Sequence, residues 1–255
     1  MSLMTRDRGF YKRFFSLTGM IAFQNILVFS VNLADNIMLG AYAETSLSGV
    51  ALVNQIQFLL QMLVMGVGEA IIVLCSQYWG RRDTSPIRRI TAIGLWFGLA
   101  AAALLFIAAF CFPHTCLRLL TDDEAVIAEG VNYLRIICFT YPLFAVTNVL
   151  LCSLRSVETV KIGFVVSAST LLINASLNYV LIYGNFGAPR LGVRGAAVAT
   201  LIARVVEWII MVVYVTRIDR KIRFRFGEIF HVDRELLREM CIRDSLYYET
   251  LSGKR

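Results

Sequence analysis

Ionisable and amide side chains interrupt several long apolar segments of this 255-residue chain. In the first segment Asp35 shares a helical face with Gln24 and Asn32, because 11 residues make about three turns of a helix. A carboxylate in such a segment costs about 2.5–3.5 kcal/mol to insert into a membrane, so it indicates a binding or pathway role unless it has a partner. On this polar face the carboxylate can bind H⁺ or Na⁺; alternatively, the face fastens neighbouring helices together by hydrogen bonds.

A second polar stripe lies in the fifth apolar segment, where Asn174 and Asn178 are four residues apart and therefore adjacent on a helix. Their carboxamide oxygens suit a hard cation, and their amides also suit a protonated acid. In the sixth segment Ala196 and Thr200 belong to a run of small residues that lets a neighbouring backbone approach closely. Close packing accounts for the alanine, whereas the threonine also offers a hydroxyl group.

An ion pair is predicted further along the sixth segment. Arg204 and Glu207 are three residues apart, which places their side chains on one face of a helix. Pairing lowers the free energy needed to hold each charge inside a membrane. We interpret this pair as structural.

The second apolar segment also carries polar residues along its length. Glu69 in this segment has no oppositely charged residue nearby in the sequence, which makes it a second candidate for proton binding. Polar residues of the first and second segments are our candidates for lining a substrate cavity. These candidates are Gln24, Asn32, Asn54, Gln57 and Glu69.

Six apolar segments must position these residues, each near or above the roughly 20 residues that a helix needs to cross a membrane. The segments are Phe15–Leu39, Val50–Trp79, Ile90–Phe112, Ala128–Leu151, Ile162–Tyr183 and Val193–Val215. We therefore predict an all-α integral membrane protein, a bundle of six transmembrane helices. The first apolar run is too long for a signal peptide and lacks a small-residue cleavage pattern after it, so we expect it to remain as the first helix.

Basic residues gather at alternate ends of the segments, fifteen on one side and three on the other. The fifteen are Arg6, Arg8, Lys12, Arg13, Arg81, Arg82, Arg88, Arg89, Arg155, Lys161, Arg217, Arg220, Lys221, Arg223 and Arg225, and the three are Arg118, Arg190 and Arg194. This bias predicts a multi-pass protein of the cell membrane with both ends of the bundle in the cytoplasm. The net charge of +7 follows from this topology, so we expect no nucleic-acid partner.

Catalytic and metal chemistry find little support in the sequence. The six cysteines show no metal-ligand spacing, and the two histidines, His114 and His231, lie near loops. We expect no metal beyond a possible Na⁺ and no organic cofactor. No nucleophile–base pair is recognisable, so we do not expect an enzyme.

Six short motifs follow one another at spacings compatible with helices. They are Val31–Gly40, Ala51–Ile56, Ser76–Asp83, Leu154–Ser156, Asn174–Tyr179 and Leu191–Thr200. In this order they resemble the first half of a multidrug and toxic compound extrusion (MATE) transporter, over roughly residues 14–239. The resemblance implies a secondary active exporter that expels organic cations or drugs in exchange for H⁺ or Na⁺.

The resemblance also implies a cation site. Members of the family form it from an aspartate of the first helix, two polar or acidic residues of the fifth, and an alanine carbonyl and a threonine of the sixth. The matching residues here are Asp35, Asn174, Asn178, Ala196 and Thr200. Three positions depart from the family pattern: Asn178 is neutral where Asp is frequent, Met20 replaces a proline that lets the first helix bend, and Glu69 stands where a small residue is expected.

The family fold has twelve helices in two six-helix lobes, so the resemblance implies that residues 1–226 correspond to one lobe. Residues 227–255 are predicted to form a polar cytoplasmic tail, and beyond Glu239 the likeness to the linker into the second lobe ends. We interpret this change as a truncated or chimeric reading frame, with a natural half-transporter that dimerises as the alternative. The expected partners are organic cations or drug-like small molecules, membrane lipid, and the missing second lobe.

Two other functions remain open at this level. A lipid-linked oligosaccharide flippase of the same superfamily would need a cationic cavity, yet only Arg135 and Arg204 lie at membrane depth. A channel or a non-transporting membrane scaffold would use Asp35 and the asparagine pair only to hold helices together.

Overall fold

The chain folds into α-helices that pack side by side. The computed structural model describes residues 8–222 and residue 224, without the side chain of Arg13. The helices are α1 (Arg8–Tyr42), α2 (Glu44–Gly80), α3 (Ser85–Cys111), α4 (Pro113–Arg118), α5 (Glu124–Ile137), α6 (Thr140–Ser156), α7 (Lys161–Tyr183) and α8 (Val193–Val213). A 3₁₀ turn covers Asn185–Gly187, and a π-helical turn, Tyr214–Ile218, continues α8. The predicted boundary near residue 226 and the polar tail lie outside the described residues.

Five of these helices are long and apolar enough to cross a membrane, namely α1, α2, α3, α7 and α8 with its π-helical turn. The pair α5 and α6 meets the same requirement together, although the chain bends by 53° between them. The prediction of an all-helical integral membrane protein is confirmed, with five spans by length and composition and a sixth if the bent pair crosses the membrane as one span.

The fourth predicted span, Ala128–Leu151, differs from the expectation of one continuous helix. Helix α5 ends at Ile137 and α6 begins at Thr140, with two residues in tighter turns between them. Pro142 accounts for the break, because it has no N–H to donate to the carbonyl of Cys138 and its ring collides with that carbonyl. The Thr140 hydroxyl supplies a substitute bond by donating to the carbonyl oxygen of Ile137 at 2.6 Å.

Local sequence signals set the ends of several helices. Helix α3 begins at Ser85, five residues before its predicted start, because Pro86 suits the first turn of a helix. Asp123 caps α5 by accepting hydrogen bonds from the second and third N–H groups after it, at 2.9 and 3.3 Å. Gly184 ends α7 with a φ of 75°, a left-handed conformation that glycine adopts without strain.

Helices α7 and α8 form the closest-packed hairpin of the bundle at Gly195. A Cβ atom on Gly195 would lie 2.5 Å from the carbonyl oxygen of Leu181 in α7, too close for any side chain. The loop between the helices is tied to the same place, since the N–H of Leu191 donates to the carbonyl of Leu181 at 3.0 Å. The small-residue run that begins α8 therefore brings the two backbones together.

Helix α1 lies at the edge of the bundle and packs chiefly against α7. It continues through Met20 without a break. Near the C-terminal end of α1, the hydroxyl of Tyr183 in α7 donates to the carbonyl oxygen of Met38 at 2.9 Å. Most of its large apolar side chains face outward. They are Phe10, Phe14, Phe15, Phe23, Ile26, Phe29, Leu33 and Ile37.

We expect Gly195→Ala to lower the free energy of unfolding by about 1–3 kcal/mol, because the methyl group forces α7 and α8 apart. Gly66→Ala is the matched control, since a Cβ atom on Gly66 in α2 would meet nothing within 4 Å. Thermal or denaturant unfolding of the two purified variants in the same detergent measures the difference. Equal stability of the two variants would contradict the close contact between α7 and α8.

Candidate functional site

Asp35 of α1 meets the asparagine pair of α7 inside the bundle. Asn174 and Asn178 are both 0% exposed, and they lie on the buried face of α7 because they are one helical turn apart. The amide nitrogen of Asn178 donates a short hydrogen bond to Oδ1 of Asp35. The first and fifth apolar segments of the sequence are thus joined by a side-chain contact at mid-helix.

The contact continues into α8 as a chain of hydrogen bonds. Nδ2 of Asn178 also donates to Oδ1 of Asn174 at 3.1 Å, and Nδ2 of Asn174 donates to Oγ1 of Thr200 at 3.0 Å. We call the four residues Asp35, Asn178, Asn174 and Thr200 the polar chain. It crosses three helices and brings together four of the five residues that the sequence singles out for cation binding.

Ala196, the fifth of these residues, lies one turn before Thr200 on the buried face of α8. Its side chain contributes to the packed run of small residues. Ala196 does not line the small cavity beside Asp35 and Asn174 that is described below. The carbonyl of Ala196 therefore has the right helical position for the cation site but no observed contact with Asp35.

One acceptor in the polar chain is unsatisfied. Oδ1 of Asn178 is buried and has no hydrogen-bond partner within the described part of the chain, because both bonds of this amide use its nitrogen. Buried carboxamide oxygens nearly always accept a hydrogen bond or bind a cation. A proton on Asp35 or a hard cation beside it would supply the missing partner.

A small cavity of about 20 Å³ opens beside the polar chain, room for about one water molecule. Three of the predicted cavity residues, Asn32, Asn54 and Gln57, line it together with Asp35. The complete lining is Val31, Asn32, Asp35, Val50, Asn54, Gln57, Tyr133, Thr170, Asn174, Thr200, Ala203 and Arg204.

The other two predicted cavity residues lie elsewhere. Gln24 is buried towards the opposite end of α1, where its Oε1 accepts a hydrogen bond from Nη2 of Arg155 at 3.0 Å. Gln24 also packs against α7, since a Cβ atom on Gly163 would lie 2.5 Å from its Oε1. Glu69 projects from the exposed face of α2 and does not line the cavity. Helical spacing places Gln24 on the face of Asp35 and both contact α7, but at the level of Gln24 the polar partner is Arg155 of α6.

The predicted ion pair forms at the edge of the cavity. Nη1 of Arg204 lies 2.7 Å from Oε2 of Glu207, and the two side chains are only 18% and 12% exposed. The guanidinium also lies over the ring of Phe144 in α6, 5.4 Å from its centroid, which is within the range of a cation–π contact. The Thr170 hydroxyl of α7 reaches the same Glu207 oxygen at 3.5 Å. These contacts join α6, α7 and α8 around an ion pair that has no net charge.

Tyr133 of α5 is a site residue that sequence reasoning missed. Its side chain is buried, lines the cavity and brings its hydroxyl within hydrogen-bonding reach of Thr200. The sequence does contain an indication of this role. Tyr133 lies in the apolar segment before Pro142, and a buried tyrosine there needs a polar partner for its hydroxyl. Because the chain bends after α5, this face is turned in a different direction from the one it would have in the continuous helix predicted from hydropathy.

The MatE family model matches residues 21–180. A curated relative, the uncharacterized transporter YisQ of Bacillus subtilis, is 29% identical over 231 residues, which cover 89% of this chain and 50% of that protein. The probable multidrug resistance protein NorM of Rhizobium meliloti is 29% identical over 219 residues, or 80% of this chain and 46% of that protein. The chain thus spans about half the length of the curated relatives it matches.

The fold is also similar to that of solved structures. A crystal structure described as MATE in the bent conformation superposes with a TM-score of 0.80 at 20% sequence identity. The match covers 90% of this chain and 50% of the solved one. The helical bundle therefore corresponds to one half of a MATE transporter structure.

We expect the stability losses of Asp35→Ala and Asn178→Ala to be non-additive. The double variant should lose about 0.5–1.5 kcal/mol less than the sum of the single variants, because each single change already removes their shared hydrogen bond. Asp35→Ala combined with Asn185→Ala is the control, since Asn185 lies in the loop between α7 and α8 and its amide donates to the carbonyl of Tyr179. Unfolding measurements on the six proteins of the two cycles give both coupling energies, and additive losses in the first cycle would rule out the contact.

Proposed function

This chain belongs to the MatE family, as its motifs predict, and we propose that it forms one lobe of a secondary active exporter of organic cations. It is a multi-pass membrane protein whose relatives are transporters. The names of several relatives, which describe them as multidrug resistance proteins, support a drug-like cargo. We further propose that export is coupled to the entry of H⁺ or Na⁺.

The polar chain is the observation that carries this proposal. In it, one carboxylate faces carboxamide and hydroxyl groups, which are ligands for a hard cation and partners for a protonated acid. The unsatisfied Oδ1 of Asn178 supplies a further oxygen at the same point. Asp35 is then the group that loads the coupling ion, and Asn174, Asn178, Thr200 and the carbonyl of Ala196 are its neighbours.

Ion loading would act on the position of α1. The hydrogen bond from Asn178 is strongest when Asp35 is negative, because charged acceptors bind donors more tightly than neutral ones. A bound proton or Na⁺ cancels that charge, which weakens the bond from Nδ2 of Asn178, and at the same time gives Oδ1 of Asn178 a partner. The contact between α1 and α7 is therefore rearranged. Since α1 packs chiefly against α7, its position would respond more than that of any helix in the interior. The coupling ion and the cargo would then favour different positions of α1.

Charge at the cavity supports cationic cargo over a pyrophosphate. Arg204 is the basic residue that lines the cavity, and its charge is neutralised by Glu207 at 2.7 Å. Arg135 is exposed on α5 and does not line the cavity. A flippase for a lipid-linked oligosaccharide would need free positive charge inside the bundle, and neither of these two arginines supplies it.

A second lobe would complete the transport path. Alternating access in transporters of this kind rocks one bundle against another around a fixed site. We propose that the partner is a second six-helix lobe, with a second copy of this chain as the alternative. The distribution of basic residues supports an orientation with both ends of the bundle in the cytoplasm.

Asp35→Asn should abolish export and leave membrane insertion unchanged, because the amide keeps the size of the side chain but cannot bind H⁺ or exchange its charge. The change is made in a transporter that carries this chain together with a second lobe, expressed in cells that lack their own multidrug exporters. The ethidium that the cells retain after loading measures the effect. Asp122→Asn is the matched control, since Asp122 is exposed in the outer loop before α5. Unchanged ethidium efflux by the Asp35 variant, at equal amounts of protein in the membrane, would sink the proposal.

A further inference from the structure

One exposed face of α2 combines large adaptable side chains with a carboxylate. Phe58, Met62, Met65 and Glu69 follow one another at intervals of four, three and four residues, so they lie within about 60° of each other around the helix. Phe58, Met62 and Met65 are 53%, 48% and 42% exposed, and Glu69 is exposed as well. We call these four residues the α2 stripe.

The carboxylate of the α2 stripe lies at membrane depth. Tyr78 and Trp79, followed by Arg81 and Arg82, mark the cytoplasmic interface at the end of α2. Glu69 precedes Trp79 by ten residues, about 15 Å along a helix. A carboxylate facing lipid at this depth would cost about 2.5–3.5 kcal/mol, so this face of α2 is unsuited to lipid.

Glu69 makes no hydrogen bond or ion pair with the residues that the structure describes. Arg155 and Glu69 both lie within electrostatic range of Cys152 in α6. The guanidinium of Arg155, however, donates to Oε1 of Gln24 at 3.0 Å. Because Glu69 is exposed and forms no ion pair with Arg155, its carboxylate is accessible to a molecule that approaches this face from outside the bundle.

The exposed face of α3 provides an internal comparison. Beyond its first two turns, its large exposed side chains are apolar: Trp96, Phe97, Leu104, Ile107 and Phe110. Such a face is suited to lipid tails, whereas the α2 stripe has the same apolar character with one negative charge added at membrane depth. The difference between the two faces indicates that they meet different surroundings.

We propose that the α2 stripe is a contact surface for lipophilic organic cations and that Glu69 selects for their positive charge. Methionine side chains adapt to apolar molecules of different shapes, and an aromatic ring such as that of Phe58 attracts cations. Glu69 supplies the charge complement that a neutral apolar surface lacks. This inference rests on the proposed export function and gives the two carboxylates separate roles, with Asp35 loading the coupling ion and Glu69 contacting the cargo.

The test compares two ions of nearly equal size and shape but opposite charge, tetraphenylphosphonium and tetraphenylborate. Their binding to the purified chain in lipid nanodiscs is measured by equilibrium dialysis. Glu69→Gln should weaken tetraphenylphosphonium binding about tenfold and leave tetraphenylborate binding equal or stronger, because only the charge is removed. Glu44→Gln, at the outer end of the same helix, is the matched control and should change neither affinity.

Two further variants distinguish the contribution of apolar contact from that of charge, and cargo binding from binding of the coupling ion. Met62→Ala combined with Met65→Ala should weaken binding of both ions, since it removes apolar contact area from the stripe. Asp35→Asn should retain tetraphenylphosphonium binding, because its carboxylate lies in the interior cavity. The melting temperature of each variant in nanodiscs establishes that it is folded.

Unchanged tetraphenylphosphonium affinity in Glu69→Gln would overturn the inference, even where Asp35→Asn has abolished ethidium efflux and the export function stands. An equal loss in Glu44→Gln would also overturn it, because the effect would then be a general consequence of charge. If Glu69→Gln changed only the self-association of the chain, the stripe would be a protein interface and the inference would be wrong.

Discussion

A carboxylate inside a membrane helix needs a hydrogen-bond donor or a cation, and Asp35 finds its donor in Asn178. This requirement fixes the level at which α1 lies against α7, and the bonds onward through Asn174 to Thr200 fix α7 against α8. Hydrogen bonds between membrane helices contribute about 0.6 kcal/mol on average and up to about 1.7 kcal/mol. Such a bond is strong enough to favour one position of a peripheral helix and weak enough to be rearranged when the charge changes. The packed hairpin of α7 and α8, by contrast, has no comparable freedom at Gly195.

Helical spacing predicted much of this arrangement from the sequence. The intervals between Asn174 and Asn178 and between Arg204 and Glu207 place each pair on one helical face, and the structure finds both pairs in contact. Spacing does not reveal which helix crosses that face, so it could not separate Gln24, which bonds to Arg155, from Asp35. It also could not locate Tyr133, whose place beside Thr200 depends on the change of direction before α6. Pro142, which causes this change of direction, is visible in the sequence. The residues on both sides of it are apolar, however, so the hydropathy pattern does not show a break there.

Asp35 of α1 and Glu69 of α2 occupy different environments. Asp35 lies among amide and hydroxyl groups in a cavity of about 20 Å³, so it has room for a proton or a small ion and no room for a drug. Glu69 lies on an open face between apolar side chains and has no hydrogen-bonding neighbour among the described residues. The sequence presents both as isolated acids in apolar segments, and only their surroundings distinguish a group suited to ions from one suited to larger molecules.

The neutral amide of Asn178 limits the electrical work of the proposed exchange. Arg204 and Glu207 cancel each other, so Asp35 contributes the net charge of the interior site, and one monovalent ion neutralises it. If one such ion enters for each monovalent cargo that leaves, no net charge crosses the membrane. The membrane voltage, worth about 2.3 kcal/mol per charge at 100 mV, then adds nothing to the driving force. An aspartate in place of Asn178 would allow a second ion to enter and would make the same exchange electrogenic. The charge of one side chain in α7 would therefore decide whether such an exporter draws on the membrane voltage or on the ion gradient alone.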